Sequence, residues 1–115
     1  MHSNIITPPD FINNENTQIL IIDPDWNDID TLTLWLQNTA KSYNIYVYTD
    51  VMMEPEWLES AIGLAHAIII NTEDSACTPI KNKLIKDSRT WYYGPHRYLG
   101  NTRQIAHLIE YFKNQ

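Results

Sequence analysis

Four short apolar runs, each followed by a segment of helical period, restrict this chain more than any single residue does. The runs are residues 19–22, "NIYVYTD" from Asn44, "AHAIIIN" ending at Asn71, and "RTWYYGP" from Arg89. After the first, Ile29, Leu32, Leu36 and Ala40 recur at helical spacing, with Asn27 expected as the N-cap. After the second, Pro55 opens a helix with Trp57, Leu58, Ala61, Ile62 and Ala65 as its apolar stripe. "CTPIKNKLIKD" predicts a short third helix capped by Thr78, and Thr102 opens a fourth carrying Ile105, Leu108, Ile109 and Phe112. A β-α pattern repeated four times folds as a parallel sheet with right-handed crossovers and helices on both faces.

The expected fold class is therefore α/β, a three-layer α/β/α sandwich around a four-stranded parallel sheet. In a flavodoxin-like, Rossmann-like arrangement the strand order is 2-1-3-4, with the first and third runs central. Those two runs are uniformly apolar, as strands covered on both faces must be. The second and fourth carry tyrosines and alternate, which predicts edge positions. Residues 1–17 are expected to be an N-terminal extension, with Ile5, Ile6, Phe11 and Ile12 able to dock on the sheet edge or on another subunit. Residues 18–115 are expected to form one domain, the size that a chain of 115 residues supports.

Charge narrows the partners. A net charge of −6 and a pI near 5.0 argue against sequence-independent nucleic-acid binding, which depends on basic residues. No apolar run approaches the ~20 residues of a membrane span. The single cysteine, Cys77, excludes an internal disulfide and suits a reducing cytoplasm. Abundant Asn and Ile with only three Gly fit an AT-rich genome, hence the expectation of an accessory protein of a phage or mobile element.

In open parallel sheets, ligands bind beyond the carboxyl ends of the strands, where strand order reverses. That rule nominates Asp23, Asp25 and Trp26 after the first run, Asp50 after the second, Asn71, Glu73 and Asp74 after the third, and His96 after the fourth. Asp23 and Asp25 flank Pro24 and can reach one Mg²⁺, with Glu73 or Asp74 completing the site. The competing assignment makes "DPDWND" a strand-to-helix turn whose carboxylates cap backbone amides, with Trp26 stapled to the helix. No glycine lies after the first or third run, which argues against a conventional dinucleotide or P-loop site. Of the histidines, His66 is expected to end the second helix, and no pair has metal-ligand spacing.

"IIDPDW" together with "YVYTD" resembles the first two motifs of the haloacid dehalogenase-type phosphohydrolases. The resemblance implies a Mg²⁺-dependent site built on Asp23 and Asp25, with Thr49 as the hydroxyl residue. Trp26 and Asn27 stand where that family carries glycine and threonine. The same residues are similar to the acidic pocket of response-regulator receiver domains, whose phospho-acceptor position falls on Asn71. "AHAIIINTED" is similar to the third-strand segment of nucleoside deoxyribosyltransferase-like folds. This implies a nucleoside or nucleotide ligand held by Asp23, Asn71 and Glu73, although "SACTPIKNKLIKD" offers lysines where the nucleophilic carboxylate belongs.

Two surface features remain. Lys81, Lys83, Lys86 and Arg89 form a basic band expected to be a solvated helix face. "WYYGPHRYLG" gathers Trp91, Tyr92, Tyr93, Arg97 and Tyr98, a composition enriched at protein interfaces. On an edge strand it predicts pairing with a second copy, a homodimer. The expected function is a small soluble interaction or ligand-binding module without catalysis. The alternatives are a divalent-metal phosphoryl-transfer or hydrolase-type enzyme and a nucleoside-binding protein, and Mg²⁺ is a cofactor only for the former.

Overall fold

A computed structural model describes residues 4–6, 10–37, 42–51, 53–71, 74–93 and 110. The expected fourth helix lies outside these residues, apart from helical Glu110. The order is β1 (Asn4–Ile6), β2 (Thr17–Ile22), α1 (Trp26–Gln37), β3 (Tyr43–Tyr48), α2 (Trp57–Leu64), β4 (Ala67–Asn71), a 3₁₀ turn (Ser75–Cys77), α3 (Thr78–Leu84) and β5 (Thr90–Tyr93). All pairings are parallel, and the sheet runs β1-β3-β2-β4-β5. No helix among the described residues is long and apolar enough to cross a membrane.

The sheet thus has five strands where the sequence predicts four. The additional strand comes from the segment read as an extension: Ile5 and Ile6 pair in register with Ile45 and Tyr46. Tyr43–Tyr48 is consequently not an edge strand, and all six of its residues are buried. Its tyrosines are explained by polar contacts rather than by solvent. The Tyr46 hydroxyl accepts from the Ile12 amide at 3.2 Å and donates to the Ile12 carbonyl at 3.4 Å, while its ring packs on Phe11. Buried Asn44 donates to Asn14 Oδ1 at 2.8 Å and accepts from Asn16 Nδ2 at 3.1 Å. The link from β1 to β2 is thereby fastened across β3 by hydrogen bonds, since buried amides require partners.

Side chains alternate between the faces, as the pleat demands. Ile19, Ile21, Ile45, Val47, Ala67 and Ile69 pack with Ile29, Leu32 and Leu36 of α1. Leu20, Ile22, Tyr46, Ile68 and Ile70 pack with Leu58 and Ala61 of α2 and with Ile80 and Leu84 of α3. Each fully buried Ile or Leu contributes about 1.5–3 kcal/mol of transfer free energy. Trp91 and Tyr92 of β5, at one end of the described sheet, are half-buried against opposite cores.

The helix ends differ from the sequence reading by a turn's edge. Asp25, not Asn27, caps α1: its Oδ1 accepts the Asn27 amide at 2.8 Å and its carbonyl accepts the Ile29 amide. Trp26 is therefore the first helical residue and projects into solvent at 49% exposure rather than stapling onto the helix. Asp74, not Thr78, caps the segment after β4, its Oδ1 accepting the Ala76 amide at 2.9 Å. In both places the short side chain of an aspartate reaches the amide two residues on. His66 also differs from expectation, because its Nδ1 accepts the Gln18 amide at 2.9 Å instead of facing the α2 carbonyls.

Candidate functional site

The parallel sheet brings the loops after β2, β3 and β4 to one edge. Asp23 leaves β2 with its amide bonded to the Tyr48 carbonyl at 3.2 Å, which continues the ladder by one residue. Its carboxylate is fully buried (0% exposed). Oδ1 accepts the Asp25 amide at 2.9 Å and Oδ2 accepts Asn71 Nδ2 at 3.3 Å. Asn71 in turn accepts the Asp74 amide on Oδ1 at 3.3 Å. Asp23, Asn71 and Asp74 therefore form one relay that ties the β2–α1 loop to the β4–α3 connection.

This relay links the loops that leave β2 and β4. Asp25 shares no hydrogen bond with Asp74, and each directs an oxygen to a backbone amide of its own loop. Among the described residues no group of three or more His, Cys, Asp or Glu could hold a metal ion. Glu73, His96, Arg97 and Tyr98 lie outside the described residues.

Open space lies one strand over, at the end of β3. There a cleft of about 350 Å³ is bounded by Trp26, Tyr48, Thr49, Asp50, Met53 and Trp57. Three aromatic residues from three elements converge on it: the first residue of α1, the last of β3 and the first of α2. Tyr48 and Trp57 meet edge-to-face, with centroids 5.5 Å apart and planes at 88°. Such a pair adds about 0.5–1.5 kcal/mol beyond its buried area and holds Trp57 against the buried Tyr48 ring. Asp50 and Trp26 are exposed at the mouth.

Among the described residues that line the cleft, the charged group is Asp50. Burial pushes the Tyr48 phenol above its usual range, and the carboxylates of Glu54 and Asp50 push it the same way. Its hydroxyl is buried without a hydrogen-bond partner among the described residues. Lys83, the cation on this flank, is bound to Glu54. A second hollow of about 500 Å³ lies between Val51, Glu54 and the turn at Ser75–Cys77, without aromatic walls.

Of the residues nominated from sequence, Trp26 and Asp50 line this cleft, whereas Asp23, Asn71 and Asp74 belong to the relay. Sequence reasoning missed Tyr48, Met53 and Trp57. Tyr48 was assigned to an edge and Trp57 to a buried stripe. The available signal was an aromatic residue at the start or end of three successive elements, a spacing that acquires meaning only once the elements are adjacent.

Cys77 is buried, and its thiol is pushed up to about 12, first by burial and then by the charges of Asp74 and Asp23. At neutral pH it is a thiol and not a thiolate, so it is a poor nucleophile. Iodoacetamide at pH 7 should leave the native protein unmodified over a period in which the urea-unfolded chain reacts completely. Rapid alkylation of the native protein would contradict the burial described.

No protein-family model matches the chain, and no curated protein sequence matches it significantly.

Proposed function

We propose that this chain is a non-enzymatic binding module whose ligand occupies the aromatic cleft at the end of β3. The observation that carries the reading is the convergence of Trp26, Tyr48 and Trp57 on one open cavity. A half-exposed tryptophan at a helix start costs solvation and contributes nothing to the core, yet it completes a wall there. Ligand sites are commonly apolar concavities with a few polar groups at the rim, and 350 Å³ falls in their size range. The carboxylates that an Asp-Pro-Asp enzyme would use are committed instead to backbone amides and to Asn71.

The same proposal includes a three-layer, flavodoxin-like arrangement with α1 on one face and α2 and α3 on the other, acting in the cytoplasm as an accessory protein of a phage or mobile element. It also includes self-association through β5, with Trp91, Tyr92 and Tyr93 extended by Arg97 and Tyr98.

The test is amide-resolved NMR with a library of small aromatic and cationic fragments. Shifts should cluster at Trp26, Asp50 and Trp57. Binders mapping only to the β2/β4 notch would overturn the reading, as would a Mg²⁺- or Mn²⁺-dependent rise in melting temperature that Asp23→Asn abolishes.

A further inference from the structure

We infer that the cleft selects a small organic cation, of the methylated or quaternary ammonium class; this rests on the binding-module reading above. Its walls and its charge point to the same chemistry. Trp57 packs edge-to-face with the buried Tyr48 ring and lines the cavity, so a ligand there meets its indole. Trp26, the exposed first residue of α1, supplies a second. Aromatic faces attract cations through the ring quadrupole, and Trp does so most strongly.

Among the described residues no lysine or arginine lines the cavity, while Asp50 does. A phosphate or carboxylate ligand would meet the Asp50 carboxylate there, on a chain whose net charge is already −6. A compact ammonium such as that of lysine is strongly hydrated and desolvates at high cost. Methylated nitrogen is not: its methyl groups suit Met53 and the rings, and its charge is met by Asp50. Neutral planar ligands satisfy the walls but leave Asp50 uncompensated.

Choline chloride, titrated against the intact chain with tryptophan fluorescence as the readout, tests this directly. Sodium chloride at equal ionic strength is the blank, and 3,3-dimethylbutan-1-ol is the neutral isostere. Choline should give a saturable change, and the alcohol should bind about tenfold more weakly or worse, the scale of one cation–π contact. Trp26→Ala and Asp50→Asn, both at exposed positions, should each weaken choline about tenfold without moving the melting temperature. Equal binding of choline and the alcohol would overturn the cation assignment while leaving the binding module intact. No saturable response to either would also overturn it, and the fragment mapping would then decide the module separately.

Discussion

Asn71→Leu should destabilise the protein by about 3 kcal/mol, enough to lower the melting temperature of a chain this size by about 12 °C. The figure does not come from the strength of the hydrogen bond, which at 3.3 Å is long. It comes from what the leucine would leave behind. Asp23 is fully buried, and a carboxylate out of water depends on every donor near it. Leucine matches asparagine in size, so a cavity is not the cause. It removes the donor to Asp23 Oδ2 and the acceptor for the Asp74 amide together. The check is thermal or urea unfolding of the single variants and of Asp23→Leu/Asn71→Leu. With the charge gone, the double variant should be more stable than Asn71→Leu alone, because an apolar pair is tolerated where a stranded charge is not. A loss below about 1 kcal/mol for Asn71→Leu would show that the relay does not hold the two loops.

Much of this architecture could be read from residue order, and the parts that could not have identifiable causes. Four parallel strands and three helices follow from periodicity because their runs are long enough to carry a period. β1 has three residues, too few for any pattern, and its place beside β3 depends on pairing that sequence does not encode locally. The tyrosines of β3 suggested an edge because a hydroxyl wants water. Here the Tyr46 hydroxyl finds the Ile12 backbone instead, and Asn14 and Asn16, in the segment read as an extension, supply the amides that satisfy Asn44. The location rule put Asp23, Trp26 and Asp50 at the carboxyl edge of the sheet, where the structure has them, Asp23 in the relay and the other two in the cleft. It could not tell which carboxylates would be consumed as caps, because that depends on turn geometry within "DPDWND". The cleft escaped notice for a related reason. It is made by the distance between α1 and α2 across the end of β3, a quantity set by packing rather than by any one segment.

Arg89→Ala should cost about 2 kcal/mol and lower the melting temperature by about 8 °C, although the sequence places Arg89 in a basic surface band. Its Nη1 donates to the carbonyls of Ile62 and Ala65, both at 2.8 Å, and so closes the C-terminal end of α2 from a loop more than twenty residues later. The last carbonyls of a helix lack partners of their own, which makes this contact a cap delivered in three dimensions. Asp87 holds the guanidinium in place through Nε at 3.0 Å and Nη2 at 2.7 Å. That ion pair is partly open to solvent and contributes little by itself; the two carbonyl bonds carry most of the effect. Arg89→Lys should recover less than half the loss, because one ammonium cannot engage two carbonyls and a bidentate carboxylate at once. The dependence on acid has a definite sign. Arg89 holds the Asp87 carboxyl below its usual range, first by the side-chain hydrogen bond and then by its backbone amide and its charge. A depressed carboxyl stabilises the fold above about pH 4 and loses that contribution as pH falls through its lowered folded value. The difference between the native chain and Arg89→Ala, measured by urea unfolding, should therefore be constant from pH 5 to 8 and shrink in stronger acid. A difference that grew on acidification, or full rescue by lysine, would mean that Arg89 acts on α2 through something other than this fork.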